Sequence, residues 1–148
     1  MKNQEPYILL VEDNPDDVEL TMLAFKKNNF ANEIHVVEDG EEALAFLFGN
    51  HSEGVDKRGL PMIILLDLML PKIDGHEVLR EIKSKKPTKL IPVVILTSSK
   101  EEEDILKGYE LGANSYVRKP VDYKGFVEVV NNLGVYWLAI NQPYLNDK

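Results

Sequence analysis

The stretch Tyr7-Ile-Leu-Leu-Val-Glu-Asp-Asn-Pro-Asp-Asp17 joins two structural signals without a gap. Tyr7 to Val11 are all apolar and do not alternate with polar residues, the pattern of a strand buried on both faces of a parallel sheet. Glu12 and Asp13 close the run. Asn14 offers a helix cap, Pro15 suits the first helical position, and Asp16 and Asp17 read as complements to the positive helix start. A buried strand that runs straight into a capped helix is a β-α unit. Met62-Ile-Ile-Leu-Leu66 has the same character and ends in Asp67. Parallel strands present their C-terminal ends on one edge, where open α/β sheets bind ligands. Three carboxylates on that edge, Glu12, Asp13 and Asp67, ask for a cation.

Working outward, strand-like and helix-like segments alternate to the end of the chain. A helix follows Pro15, with Val18, Thr21, Met22 and Phe25 as its expected buried stripe. Ile34 to Val37 is a second strand, and Asp39-Gly-Glu-Glu42 starts a second helix carrying Ala43, Leu44, Phe46 and Leu47. Residues 49–61, rich in glycine and charge, read as a long solvent loop. Beyond Asp67, Pro71 and Gly75 mark a loop, and a helix is expected from His76 to Ser84. Pro92 to Leu96 is a fourth buried strand ending at Thr97. Ser99 and Glu102 have the spacing of a capping box for a helix stopped by Gly112. Ser115 to Val117 is a short fifth strand, and a last helix runs from about Asp122 to Asn141. Five β-α units with right-handed crossovers make a doubly wound α/β domain with helices on both faces.

Composition narrows the function classes. At 148 residues the chain suits a single domain that buries roughly two-thirds of the surface of its unfolded form. A formal charge of -8, from 25 acidic and 17 basic residues, repels phosphate polyanions and argues against a general nucleic-acid or anionic-membrane binder. There is no cysteine, hence no thiolate chemistry or disulfide framework. No apolar run approaches the ~20 residues of a membrane span, and acids interrupt the first one at once, unlike a signal peptide. The expectation is a cytoplasmic protein.

The first strand-to-helix turn excludes several phosphate-handling designs. It lacks both G-x-G-x-x-G and the Walker-type G-x-x-x-x-G-K sequence, and its acids would repel a bare phosphate. A divalent ion reverses that local field, and magnesium, which binds through one or two carboxylates, water and phosphate, suits the job. An Asp can attack phosphorus, and the charge spread over the transition-state oxygens needs hydroxyl and cationic partners. Thr97 ends the fourth strand and Lys119 follows the fifth, each placed to reach the same oxygens. Ser98 is small enough to leave access. The Lys119-Pro120 bond is a candidate cis peptide. His35, His51 and His76 sit at no metal-ligand spacing and read as surface residues.

Glu12-Asp13, Asp67 with Pro71 and Gly75 downstream, Thr97, Tyr116 and Lys119-Pro120 together resemble the receiver domain of bacterial two-component response regulators. The resemblance covers residues 5–141, leaves 142–148 as a tail and implies no output domain. It implies a flavodoxin-like sheet of order 2-1-3-4-5. It also implies that Asp67 is the phosphoacceptor, that Asp13 and Asp67 bind Mg²⁺ directly, that Glu12 acts through water, and that Met69 lends its backbone carbonyl. Tyr116 would swing inward as the Thr97 hydroxyl moves toward the phosphoryl group. Such a protein catalyses its own phosphorylation and dephosphorylation without being a dedicated enzyme. Glu12 stands where Asp is commoner in that family.

Ile8-Leu-Leu-Val-Glu-Asp-Asn-Pro-Asp-Asp-Val-Glu-Leu20, Tyr136-Trp-Leu-Ala-Ile-Asn141 and the long 49–61 loop resemble the small response regulators paired with cyanobacterial phytochromes. That narrower likeness implies a phytochrome histidine kinase as phosphodonor and a homodimer through the last helix and its neighbours. The last helix carries Phe126, Val127, Val130, Leu133, Tyr136, Trp137 and Ile140, more large apolar groups than one core-facing stripe needs. Two rival readings stand beside this one. A haloacid-dehalogenase-like phosphatase also uses an Asp after a buried strand, but needs a second Asp two residues on, where this chain has Met69. A pseudo-receiver that binds a partner without phosphorylation would not need the full set of pocket residues.

Overall fold

Residues 6–49 and 54–144 are described by the computed structural model. Five strands form one parallel sheet in the order β2-β1-β3-β4-β5. These are β1 (Tyr7–Val11), β2 (Glu33–Val37), β3 (Ile63–Leu66), β4 (Val93–Thr97) and β5 (Ser115–Arg118). The helices between them are α1 (Pro15–Lys27), α2 (Gly40–Phe48), the single turn α3 (Val55–Arg58), α4 (Gly75–Ser84) and α5 (Glu102–Glu110), and α6 (Tyr123–Gly134) follows β5. The topology is the expected flavodoxin-like one.

The three central strands are buried along their whole length, because each is covered on both faces. Leu9, Val11, Ile64, Leu66, Val93 and Ile95 point into a core shared with α2 and α4. Ile8, Leu10, Ile63, Leu65, Val94 and Leu96 point the other way, toward Ala24 and Phe25 of α1 and Phe126 and Val130 of α6. Period-two side chains thus fill two cores from one apolar run. Each fully buried Leu or Ile contributes roughly 1.5–3 kcal/mol relative to leaving it in water.

Helix starts follow local chemistry. Asn14 Oδ1 accepts from the backbone N–H of Asp16 and Asp17, Asp39 from Glu42, Asp74 from Glu77 and Asp122 from Gly125. Gly75 cannot be larger, since a Cβ there would overlap the Asp67 carbonyl oxygen and sit 2.5 Å from Leu68 Cα. The loop after β3 is therefore pressed against the strand end that carries Asp67.

Several expectations are corrected. Met22 is 40% exposed and Ala24 takes its place in the buried stripe of α1. Ser99 does not form a capping box: α5 has Glu101 at its N-cap with no side-chain cap, and Ser99 Oγ bonds instead to Asp104 Oδ2 at 2.6 Å. The Lys119-Pro120 bond is trans. Part of the 49–61 loop is ordered as α3, where the Arg58 guanidinium lies 4.4 Å from the Tyr7 ring centroid and pairs with Glu33 at 2.8 Å. His51 lies outside the described residues. His35 packs its ring 4.6 Å from that of Phe46. His76 is buried, its Nε2 lying 3.2 Å from the Asp104 carbonyl oxygen. The last helix changes pitch, running as α-helix to Gly134 and as π-helix over Val135–Ile140.

Candidate functional site

Backbone bonds beyond the strand ends set the register of the site. Glu12 N donates to Val37 O at 3.0 Å, Asp67 N to Val11 O at 3.1 Å and Lys119 N to Thr97 O at 2.7 Å. The sheet ladder is thereby extended one residue past each strand. Glu12 and Asp67 come side by side, with Lys119 reaching them from across β4.

The side chains then converge. Carboxylate oxygens of Glu12, Asp13 and Asp67 all lie within 4.8 Å of one another. Lys119 Nζ donates to Asp17 Oδ2 at 2.7 Å, Glu12 Oε1 at 2.8 Å and Asp67 Oδ2 at 3.0 Å. The second oxygen of Glu12 accepts from Asn14 N at 3.1 Å, and that of Asp67 from Met69 N at 3.1 Å. Glu12 and Asp67 are buried, whereas Asp13 is exposed at the rim. These groups line a cleft of about 680 Å³ that also includes Ser98 and Val121. Three carboxylates thus bind one ammonium, with Asp13 as a fourth on the rim of the same cleft.

That arrangement shifts protonation. Burial, helped by the charge of Asp67, pushes Glu12 up to about 7 against the pull of Lys119. Burial alone would lower the Lys119 ammonium, but its bonds to Asp17 and Glu12 and the charges of Asp67 and Glu12 hold it above the usual lysine range. An all-oxygen, carboxylate-rich donor set with an excess of negative charge fits a hard divalent cation such as Mg²⁺. Glu12, Asp13 and Asp67 are the residues that would hold it.

Of the site residues expected from sequence, Glu12, Asp13, Asp67 and Lys119 are brought together. Met69 lies two residues after Asp67 and is 62% exposed, its N–H bound to the Asp67 carboxylate. Thr97 is fully buried, its hydroxyl 3.5 Å from Ser99 N, and Ser98 rather than Thr97 lines the cleft. Tyr116 is partly buried and donates its hydroxyl to the Ser99 carbonyl at 3.1 Å. One residue outside that set takes part. Asp17, expected only to favour the helix start, is the nearest partner of Lys119. His76 belongs to a chain of contacts in which Asp104 touches both His76 and Ser99, and Ser99 touches Tyr116. The one signal for Asp17 was its place in the first turn of a helix that starts on the carboxylate edge.

Residues 8–131 match the model of the response regulator receiver domain. A probable methanogenesis regulatory protein, FilR2 of Methanothrix harundinacea, is 40% identical over 143 residues, 96% of this chain and 90% of that protein. The response regulator Rcp1 of Synechocystis sp. is 40% identical over 136 residues, 92% of this chain and 91% of its own. The structure of its Mn(2+)-bound form superposes with a TM-score of 0.89 at 38% identity, covering 95% of this chain and all (100%) of that one. The phosphorylated cyanobacterial phytochrome response regulator RcpA superposes with a TM-score of 0.87 at 39% identity, covering 94% of this chain and 98% of that one. Among the described residues, no helix is long and apolar enough to cross a membrane.

Proposed function

The chain belongs to the response regulator receiver family and is related to phytochrome response regulators, and from that premise we propose that it accepts a phosphoryl group from a histidine kinase onto Asp67. The observation that carries this reading is the setting of Asp67: a buried carboxylate beside Glu12 and Asp13 and 3.0 Å from the Lys119 ammonium, at the open edge of the sheet. One Asp67 oxygen forms a bond to phosphorus as the bond between phosphorus and the donor nitrogen breaks. The electron pair leaves on the imidazole nitrogen, which takes a proton from water. Lys119 holds the nucleophile and then balances charge on the transferred oxygens. Mg²⁺, held directly by Asp13, Asp67 and the Met69 carbonyl and through water by Glu12, would offset the negative charge that otherwise keeps a phosphoryl group out.

Signalling follows from a shift of Thr97 and Tyr116 that reshapes the face formed by α5, β5 and α6. The link from Tyr116 to Ser99 and on to Asp104 of α5 supports that route. The receiver domain is assigned to residues 5–141, with 142–148 as a tail. A homodimer through the last helix region is part of the proposal, supported by the exposure of Tyr136 and Ile140, at 47% and 64%.

A bacterial phytochrome kinase is the proposed phosphodonor. FilR2 stands at the same identity as Rcp1, so the decisive experiment is phosphotransfer against a panel of histidine kinases that includes phytochrome and non-phytochrome members. Fastest transfer from the phytochrome is expected, and preference for another kinase rejects that partner. Sedimentation velocity on the phosphorylated product should show a dimer; a monomer at every concentration rejects the dimer. Continuous turnover of phosphomonoesters would favour the phosphatase reading instead.

A further inference from the structure

Lys119 has three N–H donors, and three carboxylates take them. The partners are not equivalent. Glu12 and Asp67 belong to the cluster that can hold a cation, whereas Asp17 lies outside it. Glu12 and Asp67 each have a second tie, to Asn14 N and Met69 N. The shortest lysine contact, at 2.7 Å, goes to Asp17, and the Asp17 side chain is 20% exposed against 8% for Lys119.

Local hydrogen bonds tie the backbone at Asp17 to the helix start. The Asp17 N–H approaches the Asn14 cap at 3.3 Å and its carbonyl accepts from Thr21 Oγ1 at 2.8 Å. Phe25 of α1 packs in the core that also contains Phe126 and Val130 of α6. A lysine, by contrast, is a point charge on a flexible stem and needs to be fixed to act in one place. When a cation and a phosphoryl group claim the cluster carboxylates, Asp17 is the contact that nothing else competes for.

We propose that Asp17 is a positioning residue that keeps the Lys119 ammonium aimed at Asp67 during phosphoryl transfer. This rests on Asp67 being the phosphoacceptor. The acidic start of α1 therefore has two members with different jobs. Asp16, exposed in the same turn, supplies the same charge without the contact and serves as the control.

The experiment compares wild type, Asp17→Asn, Asp17→Glu and Asp16→Asn. In isotope-labelled, metal-free protein, the Lys119 ammonium signal in NMR should exchange its protons slowly in wild type and in Asp16→Asn. In Asp17→Asn it should broaden by fast exchange. With saturating acyl phosphate and Mg²⁺, the limiting rate of modification should fall about tenfold in Asp17→Asn, because the charged group is no longer held in reacting geometry. Asp17→Glu should recover part of that loss, and Asp16→Asn should match wild type. Equal rates in Asp17→Asn and Asp16→Asn, or an unchanged ammonium signal, overturn the inference while leaving Asp67 as acceptor. Modification of wild type at a residue other than Asp67 overturns the underlying reading and this inference together.

Discussion

Asp67→Asn should take up no phosphoryl group from a small acyl-phosphate donor with Mg²⁺, where the wild-type chain should take up one. The substitution keeps the volume of the side chain and its bond from Met69 N, which an amide oxygen accepts equally well. It removes the nucleophilic oxygen and one negative charge. Lys119 retains Asp17 and Glu12, so the fold has no reason to change. Losing the nucleophile outright slows modification by about a thousandfold or more, since no neighbouring group makes the same bond in the same place. Intact-mass measurement over a time course checks it, and modification of the variant at the wild-type rate defeats the assignment.

Lys119→Ala should destabilise the metal-free protein by about 3 kcal/mol, the cost of leaving buried charges without their partner. Glu12 and Asp67 are almost fully enclosed and, with Asp17, lose their shared ammonium at once. Glu12, already pushed up to about 7, limits the damage by taking a proton. Millimolar Mg²⁺ should return part of the lost stability, because a cation then faces the same carboxylates. Urea unfolding of both proteins with and without the metal tests this. A variant as stable as wild type in the absence of metal would show that the carboxylates do not depend on the lysine.

The strands were legible because burial on both faces leaves no ambiguity: Tyr7 to Val11 and Met62 to Leu66 are apolar throughout and end in acids. Glu12, Asp13, Asp67 and Lys119 were legible for the same reason, since parallel strands must bring their ends to one edge. What depends on how a helix is rotated about its axis was not. Asp17 and Asp16 look alike as first-turn acids, and only the seating of α1 decides that Asp17 meets Lys119. His76 stands in the first turn of α4 and reads as exposed until α5 is laid over it. Ser99 has capping-box spacing, but the helix starts two residues later than a Ser99 cap would place it, and the Ser99 hydroxyl donates to the Asp104 carboxylate while accepting from Glu101 N at 3.3 Å. Met22 and Ala24 exchange places for a similar reason, because the inward face of α1 is set by its packing on α6.

The central claim is that four carboxylates and one lysine make Asp67 the phosphoryl acceptor. Its most direct test is to map the modified residue by fragmentation mass spectrometry after brief treatment of the wild-type chain with acyl phosphate and Mg²⁺. The account predicts one phosphoryl group, carried on Asp67. A phosphoryl group on Asp13, Asp17 or any other residue, or none at all, contradicts it.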